Sequence, residues 1–158
     1  MNAFYIICSL GIASLLAEIA NVKKYLILFV VAGLALATAL ILRDWNTSLH
    51  YFNDMLVFDN TAILFTILIC VVSILWFWST GHYFTEETSI SDQASLILFA
   101  LAGSVMLVSF NNMAMLFLGI EILSIALYTL AGSKKDNLFS NEAAFKYFLL
   151  GSFASCFL

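Results

Sequence analysis

Long runs of uncharged, apolar residues dominate this chain, and their lengths limit what it can fold into. A hydrocarbon core ~30 Å thick requires roughly 20 helical residues for each crossing. The run ASLILFALAGSVMLVSFNNMAMLFLGIEILSIALYTLAG, residues 94–132, would form a single helix about 57 Å long, which no bilayer accommodates. Asn tolerates the conformations of tight turns. The run therefore predicts two helices that reverse direction at Asn111-Asn112.

The composition agrees with a membrane protein. Hydrophobic residues make up 63% of the chain and charged residues 10%, well outside the range of soluble domains. The apolar stretches are continuous rather than alternating, which favours helices over a lipid-facing barrel. We therefore predict an all-α integral membrane protein, with one membrane domain over residues 1–158. Its six spans are predicted at about 3–20, 25–42, 60–79, 94–110, 112–131 and 142–158.

Other features narrow the class of protein. Cys8, Cys70 and Cys156 lie in apolar runs without paired or metal-ligand spacing, so we expect neither disulfides nor a metal site. The chain has no basic patch that could engage phosphates, and we expect no nucleic-acid partner. The sixth span reaches Leu158 without a charge or a turn residue. We therefore expect the front part of a longer protein.

The lysines and arginines in the short loops predict the orientation. Cytoplasmic loops carry an excess of these residues. With the N-terminus outside, the inside loops hold four lysines and the outside loops hold only Arg43; the lysines are Lys23, Lys24, Lys134 and Lys135. We therefore predict a multi-pass protein of the cytoplasmic or inner membrane with its N-terminus outside.

Glu121 lies in the middle of the fifth span, where a charge costs ~2.5–3.5 kcal/mol on insertion scales. Such residues normally face a bundle interior and carry ions or protons. Ser124 and Tyr128 follow at i+3 and i+7, on the same helical face. A carboxylate lined by hydroxyls can exchange protons with trapped water. Two other interpretations stay open: a neutral Glu121 that joins helices, or a shifted span that brings it to the interface.

Lys146 is the second unusual charge, in SNEAAFKYFLLGSFAS. Ser140 or Asn141 is predicted to cap this helix, and Glu142 suits the positive end of its dipole. Lys146 then lies ~6 Å inside the helix. From that depth its ammonium group can reach the surface, so a functional role and an anchoring role both remain open.

The stretches FLGIEILSIALYTLAG and SNEAAFKYFLLGSFASCFL together resemble a known family, subunit N of respiratory complex I, the proton-pumping NADH:quinone oxidoreductase. The resemblance is closest over residues 94–158. Glu121, Ser124 and Tyr128 fill the places of its first motif. The second motif is filled by Glu142, Ala143, Ala144, Lys146, Tyr147, Gly151 and Ser152.

This resemblance implies an antiporter-like fold of about fourteen helices with inverted repeats, of which this chain covers about the first third. It implies redox-driven proton translocation in which Glu121 is the switchable carboxylate and Lys146 a modulator. It also implies other membrane-arm subunits of complex I as partners, besides the lipid bilayer. We expect no cofactor in this chain, with NADH, FMN, iron–sulfur clusters and quinone bound by partner subunits.

Related subunits compete for the assignment. The other two large pumping subunits of complex I typically carry a bulky aromatic residue just before the glutamate, whereas Gly119-Ile120 precede it here. That favours subunit N. A subunit of a multisubunit sodium/proton antiporter and a structural membrane fragment without a proton role remain as alternatives.

Overall fold

Each long apolar run folds as a helix, because a helix satisfies its backbone hydrogen bonds within one segment. The computed structural model describes residues 2–19, 26–80, 90–134 and 136–158. In chain order the elements are α1 (Asn2–Ile19), α2 (Leu26–Arg43), β1 (Leu49–Tyr51), β2 (Leu56–Phe58), α3 (Asn60–Thr80), α4 (Ile90–Val108), α5 (Met113–Ala131) and α6 (Leu138–Ser155). The six helices correspond to the six predicted spans.

Four of these helices are long and apolar enough to cross a membrane by length and composition, counted over the residues that the structure describes. They are α2, Asn60–Ser79 of α3, Ser91–Val108 of α4, and α5. A shorter apolar helical stretch, Phe4–Ala17, lies in α1. The chain is therefore a multi-pass membrane protein, as its composition predicts.

The core lies among α1 to α4, and α5 extends it on one side. α1 packs against both α2 and α4, α2 against α3, and the most extensive contact joins α4 to α5. α2 buries a stripe at helical spacing, formed by Leu26, Val30, Leu34, Ala37 and Ile41. α6 contacts α5, and none of its residues, all of which are described, is buried.

The predicted reversal at Asn111-Asn112 is confirmed. α4 ends at Val108 and α5 begins at Met113, with Asn112 as its N-cap. The Asn112 side chain accepts a hydrogen bond from the backbone N–H of Ala114 at 3.1 Å. Such a cap satisfies a donor that the first turn of a helix leaves free.

The loop between α2 and α3 folds into a β-hairpin that the sequence did not indicate. β1 and β2 pair antiparallel around Phe52, Asn53 and Asp54, all with positive φ. The hairpin is fastened to the turn between α4 and α5: the Val57 N–H donates to the Ser109 carbonyl at 2.8 Å. Two helix connections that are distant in sequence therefore lie together at one end of the bundle.

Two helices begin earlier than predicted. α4 begins at Ile90 instead of residue 94, and α6 begins at Leu138 instead of residue 142. The predicted caps of α6, Ser140 and Asn141, are wrong: Asn137 caps it and accepts from the Phe139 N–H at 2.9 Å. First turns that contain polar residues, Ser91 to Gln93 in α4 and Ser140 and Asn141 in α6, extend both helices beyond the predicted spans. Hydropathy measures the hydrocarbon region rather than the helix.

Candidate functional site

α5 places Glu121 near the centre of a membrane-length helix. The helix has 19 residues from Met113 to Ala131, so Glu121 is the ninth of them. At 1.5 Å per residue its Cα lies about 12 Å from the start of the helix and about 15 Å from its end. Neither terminus of α5 brings the carboxyl group close to an interface.

Two glycines fix the rotation of α5 against α4. A Cβ atom on Gly103 would lie 2.7 Å from the backbone nitrogen of Leu123 and 3.0 Å from the carbonyl oxygen of Gly119. A Cβ atom on Gly119 would lie 3.2 Å from the carbonyl oxygen of Gly103. The two backbones therefore meet almost directly, as small residues allow in membrane helices. Gly119 and Ala126 are the buried residues of α5.

This rotation turns the polar residues of α5 away from α4. Counted from Gly119 at 3.6 residues per turn, Glu121, Ser124 and Tyr128 lie at about 200°, 140° and 180°. All three side chains are half-buried. Among the described residues, neither the Glu121 carboxyl group nor the Ser124 hydroxyl has a hydrogen-bond or ion-pair partner. We name the face formed by these three residues the polar face of α5.

At its C-terminal end the polar face meets α6. The ring of Tyr128 lies edge-to-face against Tyr147, with ring centroids 4.8 Å apart, and against Phe148 at 5.9 Å. The Tyr128 hydroxyl lies over Gly151. Nearer the loop between α5 and α6, a Cβ atom on Gly132 would lie 3.0 Å from the Cβ of Ala144. These contacts set the antiparallel register of α5 and α6.

Lys146 lies at a different level from Glu121. The register from Gly132 and Ala144 places Lys146 beside the last turn of α5, about nine residues or ~14 Å along the axis from Glu121. Its ammonium group makes an ion pair with Glu142, one turn earlier in α6. The side chains are 67% and 56% exposed in this chain, so the pair lies on the surface. Glu121 and Lys146 are not brought together.

Lys146 lies deeper within its own helix than the sequence predicted. With the helix starting at Leu138, Lys146 is eight residues in, or ~12 Å, rather than ~6 Å. The first turns of α6 run beyond the end of α5, where the Ser140 hydroxyl donates to the Ala131 carbonyl at 2.6 Å. Lys146 therefore stays close to the loop between α5 and α6.

Gly103, Gly119 and Gly151 position the site; the sequence analysis named Gly119 and Gly151 only as motif positions and did not predict a positioning role for any of the three. One signal was present for the first two, since each stands eight residues from Asn111, on either side of the reversal. Residues equidistant from a tight turn lie at the same level in an antiparallel pair. Two glycines at one level indicate a close approach of the backbones. Nothing in the sequence shows that Tyr128 lies over Gly151.

Comparisons with known proteins agree with this architecture. Residues 110–158 match the family described as NADH:quinone oxidoreductase/Mrp antiporter, TM. The NADH-quinone oxidoreductase subunit N of Flavobacterium psychrophilum is 42% identical over 156 residues, which is 98% of this chain and 34% of the relative. Its counterpart from Flavobacterium johnsoniae is 46% identical, with the same two coverages. The chain thus spans about a third of the length of these relatives.

A solved structure shows the same likeness in three dimensions. A chain of the respiratory complex I from Thermus thermophilus, determined with bound aureothin, matches with a TM-score of 0.77 and 27% identity. The match covers 98% of this chain and 34% of that one. The fold class is confirmed as an all-α membrane fold that corresponds to part of a larger chain.

The relatives also decide between the assignments left open by the sequence. The proteins that align with nearly the whole chain at 42% and 46% identity both carry the name of subunit N, so the sodium/proton antiporter is not favoured. The resemblance seen in residues 94–158 extends over the first helices as well. This chain belongs to the NADH-quinone oxidoreductase subunit N family.

Proposed function

We propose that the chain is part of the membrane arm of a respiratory complex I and takes part in redox-driven proton translocation through Glu121. One observation carries the proposal: a carboxyl group stands at mid-helix on the face of α5 that turns away from α4. Ionisable residues at that depth are costly and typically serve ion or proton movement. The family relationship supplies the oxidoreductase to which the subunit belongs.

The chemistry assigned to Glu121 is a change of protonation driven by its surroundings. A low dielectric favours the neutral carboxylic acid, whereas a cation brought near favours the carboxylate. A movement of charge along the membrane arm therefore makes Glu121 bind or release a proton. Ser124 and Tyr128 lie on the same face and can hydrogen-bond the water through which that proton moves.

Lys146 acts on Glu121 from a distance in this proposal. It is separated from Glu121 by ~14 Å along the seam, so it tunes the loop side of the proton route rather than pairing with the carboxylate. Its ion pair with Glu142 keeps an ammonium group at the entrance of that route. A Coulomb interaction over this distance is partly screened near the surface, which favours a modest effect.

The oxidation of NADH and the reduction of quinone belong to partner subunits in this proposal, together with FMN and the iron–sulfur clusters. The residues of this chain bind and release protons and form contacts with lipid and with other membrane-arm subunits. The enzyme class is therefore that of the whole complex, a proton-translocating NADH:quinone oxidoreductase.

The proposed orientation has the N-terminus outside in a cytoplasmic membrane. Lys134 follows α5 and is exposed, whereas Lys23, Lys24 and Lys135, which contribute to the same prediction, lie outside the described residues. The hairpin of β1 and β2 shares one end of the bundle with the α4–α5 turn. The α5–α6 loop lies at the opposite end, as alternating crossings require.

Single cysteines at Thr47 and Lys134 test this orientation in a background without the native cysteines. An impermeant maleimide added to intact cells should label position 47, and inside-out vesicles should be needed to label position 134. Labelling of both positions from the same side would contradict the topology.

Substitution of Glu121 tests the proposed function in the assembled, full-length complex. Glu121→Gln keeps shape and hydrogen bonding but cannot ionise, while Glu121→Asp keeps ionisation and withdraws the group by one methylene. Protons pumped per NADH oxidised should decrease in the order Glu, Asp, Gln. If the assembled Gln variant pumps like the parent, Glu121 only joins helices and the proposal fails.

A further inference from the structure

Tyr128 and Gly151 fit together as a knob and a notch across the seam between α5 and α6. A Cβ atom on Gly151 would overlap the Tyr128 hydroxyl and would stand 2.5 Å from its Cζ and 3.1 Å from its Cε1. No glycine in the described part of the chain has a positive φ. Gly151 is therefore needed because its missing side chain makes room for the Tyr128 hydroxyl, and not because the backbone has an unusual conformation.

Ring contacts restrict the orientation of Tyr128, and its hydroxyl is left available for hydrogen bonds. Tyr147 and Phe148 contact the ring edge-to-face at 4.8 Å and 5.9 Å. Such aromatic pairs restrict orientation and add about 0.5–1.5 kcal/mol beyond the area that they bury. Among the described residues the hydroxyl has no hydrogen-bond partner. A phenol can both donate and accept a hydrogen bond, so this hydroxyl can form both kinds of hydrogen bond with water.

Along α5, Tyr128 lies between the α5–α6 loop and Glu121. Tyr128 lies seven residues, or ~10 Å, from Glu121 toward the α5–α6 loop, with Ser124 between them on the same face. A proton that enters along the polar face from the loop side passes the Tyr128 hydroxyl before it reaches Glu121. The ring of Tyr128 narrows the seam at that point.

We propose that Gly151 is a positioning residue whose notch holds the Tyr128 hydroxyl on the proton route to Glu121; this rests on the proposed function of Glu121. In one transfer the Tyr128 oxygen accepts a proton from a hydronium ion on the loop side, which becomes water, and its own proton leaves to a water on the Glu121 side, which becomes the hydronium ion. The phenol is unchanged at the end. A side chain on Gly151 turns the Tyr128 hydroxyl out of the seam. Only water molecules then carry the proton past this point of the route.

The test uses Gly151→Ala, Tyr128→Phe and the double variant in the assembled, full-length complex. Each single variant should lower the pumping rate about fivefold, less than the full contribution of a general acid–base group because water partly substitutes for the phenol. The loss should grow as the loop-side medium becomes more alkaline, since delivery from water depends on proton concentration. The double variant should pump at the same rate as Tyr128→Phe, because once the hydroxyl is absent the change at Gly151 has nothing further to displace.

Gly132→Ala is the matched control in the same seam. Its new Cβ would meet the Cβ of Ala144 at 3.0 Å, and the next nearest atoms are the backbone carbonyl oxygens of Tyr128 and Thr129 at 3.7 and 3.9 Å. The Tyr128 hydroxyl is therefore not displaced, and pumping should stay near the parent rate. An equal loss in this control would show that helix spacing matters and overturn the proposal. A double variant that falls well below both singles would overturn it as well, because Gly151 would then act independently of Tyr128.

The remaining outcomes separate this proposal from the function of Glu121. If Tyr128→Phe pumps like the parent while Glu121→Gln does not, the positioning role is wrong and the function of Glu121 stands. If Gly151→Ala prevents assembly, Gly151→Ala with Tyr128→Leu should restore it, since the shorter side chain vacates the notch. Failure of that rescue would show that Gly151 is required by the backbone of α6 and not for the placement of Tyr128.

Discussion

The two long faces of α5 are built in opposite ways. Against α4, backbone meets backbone at Gly103 and Gly119, and the contact is the most extensive in the bundle. Against α6, one aromatic side chain, Tyr128, bridges the helices, and α6 buries none of its own residues. The first face has no room for adjustment, whereas the second depends on a few side chains.

This difference explains where a titratable group can be placed in a membrane helix. Glu121 on the α4 side would collide with a backbone and lose all access to water. On the opposite face it stands on a helix whose rotation is already fixed by the glycines, and on the side where contacts to α6 are made by a few side chains. Rigidity on one side and openness on the other are compatible because the two faces lie about 180° apart.

The largest effect is expected from a methyl group in the rigid face. Gly103→Ala places a Cβ 2.7 Å from the Leu123 backbone nitrogen, an atom that no rotamer change can move. Overpacking of this kind typically costs about 1–3 kcal/mol. We expect a marked loss of assembled, folded protein, measured by thermal unfolding of the purified complex.

Gly11→Ala is the control for that variant. The atoms nearest to its Cβ would be in the ring of Phe99, at 3.2–3.5 Å, and a side chain can give way by a few tenths of an ångström. Equal stability of the two variants would show that the α4–α5 contact is not as close as the glycines indicate.

The second prediction concerns the register of the looser face. With the three native cysteines replaced, Gly132→Cys and Ala144→Cys should form a disulfide readily on mild oxidation, because their Cβ atoms are adjacent. Cysteines at Glu121 and Lys146 should not cross-link, because they are ~14 Å apart along the axis. The reverse pattern, read by mass shift after protease digestion, would contradict the placement of Lys146.

The smallest effect is expected at Lys146. Its ion pair with Glu142 is exposed, and such pairs contribute about 0.3–0.5 kcal/mol in a helix. Lys146→Arg should therefore keep most of the pumping activity, and Lys146→Ala should lose a larger part while the complex still assembles. Normal pumping by Lys146→Ala, with an unchanged pH profile, would reduce the residue to an interfacial anchor.

Sequence reasoning performed well where one physical quantity decides the outcome. The thickness of the bilayer sets the length of an apolar run, and α2, α3 and α5 begin and end within one residue of their predicted spans. The reversal at Asn111-Asn112 followed from the same length argument. The alignment of Glu121 with Ser124 and Tyr128 follows from helical periodicity alone.

It failed where the outcome depends on distant partners. β1 and β2 have three residues each, and they are held by each other and by the α4–α5 turn rather than by their own propensity. The start of α6 depends on Asn137, which caps a helix that begins four residues before the predicted span. The role of Gly151 depends on where Tyr128 points, which no local pattern encodes.

Infrared difference spectroscopy on the assembled complex tests the role of Glu121 most directly. If Glu121 gains and loses a proton during turnover, NADH-driven difference spectra of the parent should contain the carbonyl band of a protonated carboxyl group. Glu121→Gln should abolish that band, and Lys146→Ala, matched for assembly, should shift or weaken it without removing it. An identical carboxyl band in Glu121→Gln would contradict the proposal that Glu121 carries the proton.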